Sequence, residues 1–163
     1  MRANFCFDFV IRVADHDASV EKFRRLLGIE PIELARDTMP DPTTRCTIFP
    51  LWDLGDRGMV LSLVSSTDPA SPLGRQVERN GEGLMLFGID VDDVRALMQQ
   101  GSSAGVDFRT PEPVEYDYGH MVHTKPASTC GIPMLFSTHK PGWWQKSLAG
   151  GHPSTDEDGG REA

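Results

Sequence analysis

The sequence predicts an α+β fold: two βαβββ modules facing each other across a central cleft. Three observations carry this. A strand, an amphipathic helix and a glycine stop are written twice, at residues 7–28 and 84–105, about 78 residues apart. Each copy is followed by further strand-like segments in the same order. The 163 residues, 39% hydrophobic and 25% charged, suit one domain made of two halves that share a core.

The elements follow in order. Residues 5–13 alternate bulky and polar side chains, the period of a half-buried strand. Asp15 or Asp17 caps a helix over 15–27, where Ala18, Val20, Phe23, Leu26 and Leu27 include apolar residues at helical spacing, and Gly28 stops it. Residues 29–34 form a short strand that Pro31 assigns to an edge. Residues 37–43, with two prolines, are a loop, and 45–52 with 59–65 form a hairpin around residues 53–58. A Pro/Ser-rich connection over 66–82 includes a short helix near 73–79. The second half repeats the pattern: a strand over 84–91, a helix over 92–104, a strand over 106–114 interrupted by Pro111 and Pro113, and strands over 120–124 and 132–138. The organisation expected is a single domain over 1–145, with module one at about 5–66, a linker at 67–82 and module two at about 83–139. Residues 146–163, rich in Gly, Ser, Asp and Glu, read as a disordered acidic tail in which His152 has no expected role.

Composition excludes some functions. A net charge of −8 with no basic stripe argues against nucleic acid as a partner. No apolar run approaches the roughly 18 residues that span a bilayer, so no membrane association is expected. The first residues lack a signal-peptide pattern, and Cys6, Cys46 and Cys130, odd in number and without a CxxC, read as reduced thiols of a cytoplasmic protein.

Several short motifs fall in order along the chain. They are Val-x-Asp-x-Asp before a helix ending in Leu-Gly over 13–28, Gly81-Glu82-Gly83-Leu84, Val91-Asp92-Asp93-Val94, and Pro126-x-Ser128-Thr129-x-Gly131. With them, residues 5–139 resemble the vicinal oxygen chelate superfamily of glyoxalases, bleomycin-resistance proteins, extradiol dioxygenases and methylmalonyl-CoA epimerases, and most of all its epimerase branch. The resemblance implies that each module curls into an open barrel-like sheet. It also implies a divalent metal in the cleft, held from the first and last strands of each module. On this sequence those positions fall at Asp8, Ser62, Leu86 and Leu135, where the epimerase pattern wants His, Gln or Glu, His and Glu. Leucine coordinates no cation and a lone serine is a poor ligand; Leu86 also holds the repeat position of Asp8. The expectation is therefore a cleft with no metal and no other cofactor. His120 and His123, three apart on a strand, face opposite ways and do not share an ion. His16 and His139 read as capping or solvent-facing.

What remains is an apolar cleft with a few protonic groups. Asp8 and Arg12 share a face of the first strand and read as within reach of an ion pair. That pair either holds the sheet together, or leaves Asp8 as a general acid or base whose pKa burial raises and Arg12 opposes. Tyr116, Asp117, Tyr118 and His120 form a polar cluster that the resemblance places in a mobile loop near the cleft. Tyr118 and His120 can donate to an oxyanion or shuttle a proton, or the segment is an ordinary packed loop. Trp52, Trp143 and Trp144 are candidate aromatic walls, the tandem pair equally a cap or a dimer contact. Trp52, Ser62, Leu86, Tyr116 and Leu135 are the expected substrate contacts. Three functions stay open. One is a metal-independent isomerase, lyase or cyclase for a hydrophobic carbonyl compound or acyl thioester, with Asp8 as proton carrier and Arg12, His120 and Tyr118 assisting. The second is a non-catalytic drug- or metabolite-binding protein of the bleomycin-resistance type, and the third a metal-dependent epimerase or lyase with other ligands. The expected partner is a hydrophobic small molecule, with a second copy of the chain as a further candidate because homodimers are common among such proteins.

Overall fold

In the computed structural model, which describes residues 2–39 and 41–150, the alternating first segment is β1 (Ala3–Arg12), followed by α1 (His16–Leu27). Asp15 caps α1 by accepting from the Ala18 amide, and Gly28 closes it in the left-handed conformation. Module one continues with β2 (Ile32–Glu33), β3 (Thr44–Asp53) and β4 (Gly58–Ser66). The link carries α2 (Pro72–Asn80), which Ser71 caps by accepting from the Gly74 amide. Module two comprises β5 (Gly83–Val91), α3 (Val94–Ser103), β6 (Val114–Tyr116), β7 (Gly119–His123) and β8 (Met134–His139). A final helix, α4 (Trp143–Leu148), ends the described chain.

All eight strands form one sheet in the order β2-β3-β4-β1-β5-β8-β7-β6, with β2 at an edge as Pro31 predicts. Each module pairs its first and last long strands in parallel, β1 with β4 and β5 with β8. The modules meet at an antiparallel seam between β1 and β5. The strand period of two then sorts side chains between the faces. On one face α1 covers Val13, Phe49 and Leu63, while α3 covers Val91 and Val122. His16 belongs to this layer and is neither a cap nor solvent-facing. It is buried, with Nε2 2.8 Å from Thr47 Oγ1 and Nδ1 2.9 Å from Ser65 Oγ, so it straps the start of α1 to the sheet. The opposite, concave face carries Val10, Cys46, Ile48, Val60, Val64 and Leu86.

Three sequence expectations need correction. Residues 106–113 are not a strand; apart from a single bridge from Phe108 to Thr124, pairing begins only at Val114, beyond the prolines that lack an amide to donate. Tyr116 and His120 are not in a loop but on β6 and β7, with Asp117 and Tyr118 forming the turn between them. Residues 146–150 belong to α4 and its C-terminal cap rather than to a tail, because Trp144 is fully buried and anchors that helix to the concave face. Residues 151–163, with His152, lie outside the described residues.

Candidate active site

The concave face encloses a cavity of about 230 Å³ whose walls come from both modules. Asp8 of β1, Ser62 of β4, Leu86 of β5 and Leu135 of β8 all line it. These are the four positions that the superfamily resemblance implies, and strand register brings them together: Asp8 lies beside Val60 and Gly88, and Gly88 beside Leu135. Gly88 is needed at this spot. A Cβ there would stand 2.7 Å from the Phe7 ring and 3.0 Å from Asp8 Cβ, so only a glycine lets β5 run this close to the carboxyl.

Asp8 is partly buried, and the Ser62 hydroxyl donates to its Oδ1 at 2.7 Å. Burial raises its pKa to about 7; the bonds from Ser62 and the Phe9 backbone only partly offset this. The expected ion pair with Arg12 does not form. Four residues of strand separate the two by roughly 13 Å, and Arg12 turns instead to backbone carbonyls, donating from Nε to Gly81 at 2.7 Å and more weakly to Leu84 and Asn80. Arg12 ties β1 to the entry of module two and does not line the cavity.

The other expected residues divide. Tyr116 and Tyr118 line the cavity with rings edge-on, centroids 5.9 Å apart. The Tyr116 hydroxyl is 2.7 Å from Ser137 Oγ. The Tyr118 hydroxyl is buried and has no hydrogen-bond partner among the described residues. Its neighbours Thr38 and Ser147 donate to the carbonyls of Ala35 and Trp143, and neither meets the phenol in bonding geometry. Burial raises the pKa of both tyrosines, keeping them protonated donors. His120 falls outside the cavity, since β7 turns Met121 and His123 inward and His120 the other way. Trp52 is 61% exposed and lines a separate recess beside Leu54 and Phe5, away from the cleft. Trp143 and Trp144 do wall the cavity. Trp144 donates from Nε1 to Asp53 at 2.7 Å, tying α4 to the β3–β4 hairpin.

Two histidines that the sequence reading set aside also face this space. His139, at the end of β8, places Nδ1 2.6 Å from Asp90 Oδ1, and Asn4 donates to the other oxygen of that carboxylate at 2.8 Å. The imidazole stacks on Trp143 at 4.0 Å and meets the Phe7 edge at 4.5 Å. With Nδ1 donating to Asp90, Nε2 is left for the cavity. His123 also lines the cavity, and burial, then the nearby Arg109 charge, lowers its pKa to about 4, so it is neutral. Sequence pattern held a signal for His139, which shares parity with Leu135.

A divalent cation is what the fold's relatives would hold at the four converging positions. The donors here do not fit one: two are leucines, one is a hydroxyl already bonded to the fourth, Asp8. Among the described residues no three His, Cys, Asp or Glu side chains group as a metal site.

A family model of the glyoxalase/bleomycin resistance protein/dioxygenase superfamily matches residues 7–134. The chain belongs to this superfamily. No curated protein matches it in sequence. Among solved structures it is similar to methylmalonyl-CoA epimerase in complex with methylmalonyl-CoA and NH4+, at TM-score 0.72 and 22% identity over 85% of this chain and 96% of that one. A Streptomyces coelicolor methylmalonyl-CoA epimerase variant in complex with 2-nitronate-propionyl-CoA matches at TM-score 0.72 and 23% identity, covering 85% and 99%. The Mycobacterium tuberculosis methylmalonyl-CoA epimerase matches at 0.68 and 18%, covering 88% and 90%. At these identities the likeness establishes the superfamily fold. No described helix is long and apolar enough to cross a membrane.

Proposed function

We propose that this superfamily member is a metal-independent isomerase, lyase or cyclase that moves a proton on a compact hydrophobic carbonyl compound or acyl thioester. The observation that carries the reading is Asp8: a partly buried carboxyl in an apolar cavity, without a counter-ion among the described residues, whose pKa near 7 lets it both take and return a proton at neutral pH. The carboxylate removes a proton from carbon next to the carbonyl and becomes the neutral acid. The C–H electron pair moves into the carbonyl, forming an enolate oxygen. Tyr118 lines the cavity and its hydroxyl has no partner among the described residues; donating to that oxygen requires the buried hydroxyl to turn toward the ligand. Returning the proton from Asp8 to a conjugated carbon gives a double-bond isomer, whereas inversion at the original carbon needs a proton delivered to the opposite face by a second group. His139, steadied by Asp90, is the second group able to exchange a proton across the cavity. The thioester option draws support from the epimerases that share the fold, whose complexes hold acyl-CoA compounds.

The test is deuterium uptake. In heavy water, a panel of small hydrophobic ketones and acyl thioesters is followed by NMR for exchange next to the carbonyl, with and without EDTA. Exchange by the wild type should survive EDTA, rise with pH through about 7 as Asp8 ionises, and fall about 10²- to 10⁴-fold in Asp8→Asn. Unchanged exchange in a folded Asp8→Asn protein would rule Asp8 out as the base. A second reading, a binding protein of the bleomycin-resistance type, is favoured by the closed aromatic wall of Trp143 and Trp144. It becomes the better account if panel members bind tightly but none exchanges.

A further inference from the structure

The concave face continues past the cavity into a second recess of about 570 Å³ under α2. Val10, Val64 and His123 line both spaces, so the two share a wall and His123 stands at their junction. The recess differs from the cavity in charge. Arg75 and Arg79 of α2 and Arg109 of module two converge on it. None of the three makes an ion pair among the described residues, whereas Arg24, Arg25, Arg45, Arg57 and Arg95 all sit on carboxylates. Asp41 is the one acid lining the recess, and its carboxylate is engaged by the Thr43 amide and hydroxyl at 2.9 and 2.7 Å. In a chain of net charge −8, three guanidinium groups without carboxylate partners around one recess form a local excess of positive charge. Among the described residues the His123 side chain has no hydrogen-bond partner although it is partly buried, so a polar donor or acceptor is presented at the passage between the spaces.

We infer that the recess is a subsite for an anionic group, a carboxylate or phosphate, on a ligand whose apolar part occupies the cavity. The ligand class is thus an amphipathic acid: an apolar body against Leu86, Leu135 and Trp143, and an anion that guanidinium groups can grip in a bidentate manner. This rests on the cavity being a small-molecule site, and it adds the charge that the ligand carries. His123 stays uncharged at neutral pH, so attraction comes from the arginines and His123 serves as a hydrogen-bonding contact on the path.

Three eight-carbon probes separate the parts: 2-octanone, octanoate and octyl phosphate. Binding is read by quenching of tryptophan fluorescence and by calorimetry, with wild type and the double variant Arg79→Gln, Arg109→Gln. The variant replaces two exposed side chains and leaves Asp8 and the cavity walls intact. At low salt, octanoate or octyl phosphate should bind the wild type about tenfold more tightly than 2-octanone. That advantage should shrink toward 1 M salt and vanish in the variant, while 2-octanone affinity stays the same. The better of the two anions identifies the group the recess takes. Equal binding of all three probes by the wild type, or a charge advantage that persists in the variant, overturns the subsite while leaving the apolar cavity as a binding site. If 2-octanone does not bind at all, the cavity reading falls with it.

Discussion

Asp8 is a partly buried carboxyl in an apolar cavity, and this has a measurable effect on stability. Its ordinary pKa of 3.8 rises to about 7 in the folded protein, so the folded state keeps a proton that the unfolded chain gives up between those values. The stability contributed by this group is complete below pH 3.8 and is lost as pH rises through about 7. Asp8→Asn removes the titration and keeps the shape. Urea denaturation of both proteins from pH 4 to 8 should show the variant gaining on the wild type by up to roughly 4 kcal/mol across that window, at about 1.4 kcal/mol per pH unit. A stability difference that stays constant with pH would mean that Asp8 is not held in its neutral form. The same residue shows what strand parity can and cannot reveal. Alternation places Asp8, Val10 and Arg12 on one face, but it does not say where the cavity ends along the strand. Arg12 lies past that end, and its long side chain finds three carbonyls of the linker and β5 instead.

At the level of elements, α4 closes the site, and its arrival was the least legible feature of the sequence. Six residues are too few to display a helical period, and the neighbouring composition is polar. The information lay in one side chain. Trp144 is fully buried, bonds Asp53, and lies so close to Gly58 that a Cβ there would overlap the indole. Trp144→Ala should cost about 3–5 kcal/mol in denaturant unfolding, as expected for a large buried aromatic. Because the indole also walls the cavity, water admitted by the variant should lower the pKa of Asp8, moving the rising limb of the pH–exchange profile to lower pH. A stability loss without that movement would show α4 to be a prop and not a wall. The inward set of β7 is a related case. His123 and not His120 faces the cleft, and choosing between them needed the strand's pairing with β8, which sequence alternation alone did not supply.

Across the whole molecule the duplication was readable from the chain. It marked the two matching units, and the superfamily resemblance then placed Asp8, Ser62, Leu86 and Leu135 at positions that converge in one cavity. That convergence makes the argument about cations testable in reverse. Introducing Leu86→His and Leu135→Glu together supplies two donors beside Asp8, enough with water for a tetrahedral zinc site. The double variant should bind zinc stoichiometrically by calorimetry and metal analysis, while the wild type does not. Stoichiometric zinc in the wild-type protein would show that other groups hold an ion.

The β1–β5 seam has one more consequence, and it concerns time. It pairs Phe9 with Phe87 and joins the two halves through strands nearly half the chain apart. Closing a loop of that length costs on the order of 4 kcal/mol before any contact across it is gained, whereas the hairpins and capped helices of each module form locally. The seam is therefore expected, with the parallel β1–β4 and β5–β8 pairs, among the later events in folding. The cavity, which takes its walls from both sides of it, does not exist until the halves have met. A molecule that binds there stabilises a structure built late, so its main effect is to slow the chain's departure from the native state and not to hasten its arrival.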